Sequence, residues 1–235
     1  MDIIYNNNDK NISSDNNYKN FNEFIFSNDI KIIGKLFHRN NFFNLVKDLP
    51  GDIVEIGVFK GSGVASFVKM LEIYNNNSIK KVIGFDIFNP KNASNILNSY
   101  DNVDKTNMNI VYSRVNESDR TLENVNNNLQ KMGIKDKYLL IEGDVASTLP
   151  KFIEENRGFR ISLLYIDVDI EEPTYNSLKF LWDRIVPGGI IVFDEYEYHK
   201  FSESSGADKF FKEYNIKYKI YSTNYMAPTA YIIKD

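Results

Sequence analysis

Residues 51–71 read GDIVEIGVFKGSGVASFVKML. The run from Asp52 to Ile56 is short, apolar and β-branched, which suits a buried strand. Gly57, Gly61 and Gly63 follow, and from Ser62 apolar residues return at helical spacing as far as Tyr74. Strand, glycine-rich turn and helix make one βα unit, whose turn lets a ligand approach the backbone and the helix N-terminus. The glycine spacing matches neither G-x-G-x-x-G nor the phosphate-cradling P-loop. Glu55, just before the turn, would repel a pyrophosphate and attract an ammonium or sulfonium. This favours S-adenosylmethionine (SAM) over a dinucleotide.

The same unit recurs outward from this stretch. The pattern predicts strands over Lys81–Phe85, Tyr138–Glu142, Ile161–Ile166 and Ile190–Phe193. Between and after them it predicts helices over Ser118–Met132, closed by Gly133, and over Ala146–Asn156, Pro173–Ile185 and Ala207–Tyr214. Pro187-Gly188-Gly189 reads as a turn, and Lys217–Tyr221 and Ala230–Ile233 as two closing strands. A further helix is expected over about residues 28–48, covering one end of the sheet. There is no internal repeat at a fixed period. The expectation is an α/β, Rossmann-like fold: a mostly parallel sheet, helices on both faces and an antiparallel pair at the edge. Ligands in such sheets bind outside the C-terminal strand ends, where the strand order reverses.

Asp86, Asp144, Asp167 and Asp194 all fall at those ends. Asp86 can accept from both hydroxyls of a ribose. Asp144 can accept from an adenine amino group, with the Val145 N–H reaching a ring nitrogen. Together with Glu55 they describe the ribose, the adenine and the amino-acid end of SAM. Gly57, Val58, Gly61, Ser62, Ile87 and Asp167 complete the expected cofactor contacts. Asp167-Val168-Asp169 is answered by Asp194-Glu195 on the next strand, and such carboxylates repel one another unless a cation intervenes. With all-oxygen ligands the cation would be Mg²⁺, Mn²⁺ or Ca²⁺ rather than Zn²⁺. Helix caps and surface acids are the plainer alternative for each. His199, in a loop with Tyr196, Tyr198 and Lys200, could take a proton or bind substrate, or be an ordinary surface histidine. His38 reads as a core or surface residue.

Composition narrows the classes. The 235 residues carry a net charge of -4 with no Cys and 2 His. This excludes disulfide scaffolds, thiolate zinc sites and cysteine nucleophiles. It also argues against nucleic-acid binding, which wants a basic stripe. No apolar run approaches the ~20 residues of a membrane span. With no signal pattern at the N-terminus, the expected location is the cytoplasm. Residues 1–28 form an Asn-rich arm, either loose or ordering over a substrate or partner subunit, and 29–235 read as one domain. Exposed aromatics and the arm suggest a homo-oligomer, a dimer or larger.

Five stretches together resemble the macrocin O-methyltransferase (TylF-type) family of SAM-dependent enzymes. They are GDIVEIGVFKGSG, IGFDIF, IEGDVASTLP, LLYIDVDIEEPTYNSL and VPGGIIVFDEY, spanning about Pro50 to Tyr196. The resemblance implies a class I SAM-dependent methyltransferase fold and Mg²⁺-assisted methylation of a sugar hydroxyl, free, nucleotide-linked or within a glycan or natural product. It also implies SAM contacts from Glu55, Gly57, Asp86 and Asp144, metal ligation by Asp167, Asp194 and Glu195, and Asp167 as general base. Two positions depart from the family pattern. Glu195 stands where an Asp is usual and reaches one methylene further. Ile170-Glu171 replaces a usual Leu-Tyr and would add an acid near the mouth. The competing readings are a catechol-type or acyl-CoA-linked aromatic O-methyltransferase, an NAD-dependent oxidoreductase, which the glycine spacing and Glu55 oppose, and a non-catalytic SAM-fold binding module.

Overall fold

A computed structural model of the chain describes residues 13–98 and 102–235. Seven strands form one sheet: β1 (Asp52–Ile56), β2 (Val82–Asp86), β3 (Tyr138–Glu142), β4 (Ile161–Ile166), β5 (Ile185–Phe193), β6 (Ile220–Ser222) and β7 (Ala230–Ile233). Their order is β3-β2-β1-β4-β5-β7-β6. The first five strands in that order run parallel, and β7 pairs antiparallel with both β5 and β6. The chain winds outward from β1 in both directions, so the strand order reverses between β1 and β4. That is where an open α/β sheet leaves a crevice for ligands.

Alternation along the central strands divides the core between the two faces. Val54 and Ile56 of β1 and Leu164 and Ile166 of β4 point to one face. There they meet α7 (Val145–Glu155), α8 (Glu171–Leu181) and α9 (Glu203–Glu213) through Leu149, Phe152, Leu178 and Phe210. Ile53 and Leu163 point to the other face, packing with α2 (Ile30–Val46), α3 (Ser62–Asn75) and α6 (Leu122–Gln130) through Phe43, Phe67 and Leu129. Glu55 and Tyr165 share the parity of Ile53 and Leu163 and lie opposite each other in the β1–β4 ladder. Both therefore look towards α2.

The elements differ from the sequence reading in five places. Residues 13–25 of the Asn-rich arm form a helix, α1 (Ser13–Ile25), which ends before the Asp29 cap of α2. The expected helix over 118–132 is broken at Thr121. That residue is extended and caps α6 by accepting from the Asn124 N–H at 3.3 Å. The 173–185 helix stops at Leu181, passes through one 3-10 turn, and Ile185 already belongs to β5. Pro187-Gly188-Gly189 is a bulge within β5 rather than a turn before it: Ile185 pairs with Ile161 and Ile190 with Leu163. Two helices absent from the sequence reading, α4 (Pro90–Leu97) and α5 (Asn102–Ser113), lie between β2 and the Glu117–Arg120 turn. Among the described residues no helix is long and apolar enough to cross a membrane.

Lys80 tests the packing below the sheet. Its ammonium donates to Ser162 Oγ at 2.7 Å and to the Leu49 carbonyl at 2.8 Å, and burial pushes its pKa down to about 8. The unfolded chain therefore binds more protons between that value and the usual lysine range. Stability contributed at this position rises with pH through that window and is penalised below it. Comparing chemical denaturation of the protein and Lys80→Met between pH 7.5 and 10.5 should show a gain of on the order of 1–3 kcal/mol in the wild type that the variant lacks.

Candidate active site

The C-terminal strand ends open into a cleft of about 1240 Å³. Glu55, Gly57, Val58, Ser62, Asp86, Ile87, Asp144, Val145, Asp167, Asp194, Glu195 and His199 all line it. Gly61 does not: its turn, at φ +88°, faces Val125 and Leu129 of α6. Glu171 is not at the mouth either, since it pairs with Lys209 of α9 at 3.0 Å.

The first half of the cleft is built by the β1–α3 turn. Gly57 holds φ +90°, and a Cβ there would overlap the Asp167 carbonyl, so β1 and β4 come together at their ends. Asp86 closes β2 with a carboxylate already oriented by backbone amides. Its Oδ2 accepts from the Phe59 N–H at 2.8 Å and its Oδ1 from the Phe88 N–H at 3.1 Å. Burial pushes its pKa up against the pull of those amides. Beyond it, Asp144 caps α7 by accepting from the Ala146 N–H at 3.0 Å. The capping role and the position on the cleft wall coexist. Arg120 sits beside this half, buried, with its guanidinium carbon 4.0 Å from the ring centre of Tyr112.

The second half is an ionic network brought together by β4, β5 and α2. Lys31, Lys35 and Arg39 recur every fourth residue, so they form one stripe along α2. Lys35 Nζ lies 2.8 Å from Asp167 Oδ2 and 2.7 Å from Asp194 Oδ2. Arg39 donates to Glu55 at 3.0 Å and lies 4.8 Å from the centre of the Tyr165 ring, while Lys31 stands 3.7 Å from Glu195. Tyr165 donates its hydroxyl to Asp194 Oδ1 at 2.6 Å. Glu55 is wholly within the protein, one of its oxygens has no partner, and burial pushes its carboxyl up to about 7.

The two central acids are set apart by their surroundings. Burial would raise Asp194, but Lys35 and the Tyr165 hydroxyl more than offset it, and its pKa is lowered. Asp167 is raised, by burial first and by the neighbouring Asp194 charge second. A stabilised carboxylate beside one with elevated proton affinity is the division of labour expected of a site that holds a charge and moves a proton.

The family model for macrocin-O-methyltransferase (TylF) matches residues 40–229. The chain belongs to the macrocin-O-methyltransferase family. A curated relative from Streptomyces olivaceus, 8-demethyl-8-(2,3-dimethoxy-alpha-L-rhamnosyl)-tetracenomycin-C 4'-O-methyltransferase, is 27% identical over 157 residues, 65% of this chain and 55% of the relative. The chain thus spans about half the length of that relative. Among solved structures, the calicheamicin methyltransferase CalS11 superposes with a TM-score of 0.66 at 23% identity, covering 86% of this chain and 79% of CalS11. The O-methyltransferase NovP gives 0.67 at 19% identity, covering 84% and 79%. These likenesses establish the fold as that of class I methyltransferases with an antiparallel edge.

For a macrocin-O-methyltransferase family member, the donor set suits a hard divalent cation: oxygens only, one from Asp167 and one from Asp194 meeting at a single point. The third expected ligand, Glu195, is turned to Lys31 instead, and among the described residues no group of three or more acids or histidines is close enough to hold a metal. The pair therefore fits the ion, and the Glu at position 195 does not complete the set in this conformation. His199 is exposed and lies beside Tyr198, the rings tilted at 57° with their centres 5.3 Å apart. It lies at the rim of the cleft, not against the acids. The sequence reading missed the α2 stripe. The signal lies in the fourfold spacing of Lys31, Lys35 and Arg39, but the sequence reading takes this helix as a cover for one end of the sheet.

The seat of α2 depends on Gly34. A Cβ there would overlap the Tyr225 hydroxyl, which donates to the Ile30 carbonyl at 2.6 Å, and the Tyr225 ring centre lies 5.0 Å from that of His38. Gly34→Ala should weaken this docking by about 1–2 kcal/mol. Hydrogen exchange of the first turns of α2 would then run roughly tenfold faster, with β1 and β4 unaffected; unchanged exchange would show that Tyr225 does not hold the helix.

Proposed function

We propose that this chain is a SAM-dependent O-methyltransferase acting on the hydroxyl of a sugar, with Mg²⁺ as the assisting ion and Asp167 as the base. The observation that carries the reading is the pairing of Asp167 and Asp194 at the switch point, in the same cleft as Glu55, Asp86 and Asp144. Membership of the family and the sugar-methylating relative support the reaction class.

In this reading Gly57, Val58, Ser62, Asp86, Ile87, Asp144 and Val145 would hold SAM, which supplies an electrophilic methyl group when bound. Asp86 would accept from the ribose, its carboxylate already fixed by two backbone amides. Asp167 and Asp194 would hold the Mg²⁺, which supplies the positive charge that makes a hydroxyl more acidic. Asp167, its side chain 22% exposed on the cleft, takes the hydroxyl proton. Tyr165 keeps Asp194 in place while this happens, and the rigid strand ends hold the reacting groups in line. His199, at the rim, would contact the acceptor. Exposed Phe26, Ile30 and Phe37, on and beside α2, favour a homo-oligomer.

Calorimetry with S-adenosylhomocysteine (SAH) tests the cofactor half. Micromolar binding is expected for the protein, and at least a tenfold loss for Asp86→Ala. Equal binding in the two would move the cofactor elsewhere.

A further inference from the structure

The two carboxylates that would receive the metal already share a cation, and it comes from the chain itself. Lys35 Nζ meets the same Oδ2 atoms, Asp167 at 2.8 Å and Asp194 at 2.7 Å, on which a divalent ion would depend. An ammonium and a metal ion cannot both occupy that point. Removing every cation would leave a buried carboxylate, Asp194, facing the half-buried Asp167, which is costly.

The way α2 is anchored separates its two halves. Its C-terminal half is fixed in the core by Phe42, Phe43 and Val46, all buried. Its N-terminal half is held by polar contacts, and its apolar residues face outward: Ile30 is 66% and Phe37 61% exposed. Those contacts are the Lys35 pair, Lys31 to Glu195 at 3.7 Å and Tyr225 to Ile30. Such a half-helix can withdraw without unpacking the core. Lys31, Lys35 and Arg39 also lie before the stretch that the family model matches, which begins at residue 40.

We infer that Lys35 is an exchangeable counter-ion: its ammonium holds the place of the divalent cation between Asp167 and Asp194, and the cation enters as the N-terminal half of α2 withdraws. The inference rests on the methyltransferase reading above. It makes Lys35 and Lys31 part of a latch: while both are in place, Asp167, Asp194 and Glu195 are all engaged by α2.

The test uses Mn²⁺ as the probe, titrated into the SAH-loaded protein and followed by the electron paramagnetic resonance of free Mn²⁺. SAH binding, measured first on the same samples, reports on the functional reading separately. Lys35→Met should bind Mn²⁺ at least tenfold more tightly than the wild type, because the competitor is gone. Equal or weaker binding in the variant overturns the inference, as does an absence of Mn²⁺ binding to both. Should Lys35→Met fail to fold, amine acylation of the wild type read by mass spectrometry decides instead. Mn²⁺ should raise the labelling of Lys35 severalfold while leaving exposed Lys19 unchanged, and no rise at Lys35 overturns the exchange.

Discussion

Asp167→Asn should lose methyl transfer by roughly a thousandfold or more while binding SAH within a few-fold of the wild type. The substitution keeps the shape of the side chain and its place at the end of β4, where the residue's N–H donates to the Ile56 carbonyl at 2.8 Å. It removes a carboxylate on the cleft that is open to an acceptor and raised in proton affinity by burial and by Asp194. Lys35 retains Asp194 as its partner, so the network loses a charge without collapsing. A variant that keeps a tenth or more of the rate would show that the proton goes elsewhere, with His199 at the rim the next residue to replace.

Gly57→Ala should be the most damaging single methyl group in the chain. The backbone there stands at φ +90°, in the region where side chains are strained, at on the order of 1–3 kcal/mol. The added Cβ would also overlap the Asp167 carbonyl, a backbone atom directly after β4 whose residue is tied to the Ile56 carbonyl, at a further 1–3 kcal/mol or so. Together these should lower the melting temperature by roughly 10 °C. What folds would bind SAH poorly, because β1 and β4 are pushed apart where the cofactor turn begins. Gly158→Ala is the control. A Cβ added there would meet nothing within 4 Å, so its melting temperature should stay within a degree or two. If the two variants melt alike, the close approach of the strand ends is not what Gly57 is for.

The sheet was legible because its central strands are continuous apolar runs bounded by glycine and aspartate, a pattern that helices do not imitate. The acids at the strand ends were legible for the same reason: Asp86, Asp144, Asp167 and Asp194 stand where each buried run gives way to polar residues. What could not be read was which acid meets which cation. Glu55, read as a partner for an amino group, faces Arg39, because strand parity turns it to the α2 side together with Tyr165. Asp167 and Asp194, read as metal ligands, meet Lys35 from 132 and 159 residues away, a contact that no local pattern encodes. The break at Thr121 was hidden because a single extended residue barely disturbs the apolar spacing on either side. α4 was hidden because its eight residues make barely two turns, too few for a period of 3.6 to repeat.

The central claim is methyl transfer from SAM to a sugar hydroxyl in this cleft. The most direct measurement is the transfer of labelled methyl from SAM, with Mg²⁺ present, to a panel of nucleotide-linked and free deoxysugars alongside catechol. The paired acids at the strand ends predict labelled product from at least one sugar, none from catechol, and loss of that product in Asp167→Asn. Label on catechol and on no sugar, or product that survives in Asp167→Asn, would contradict it.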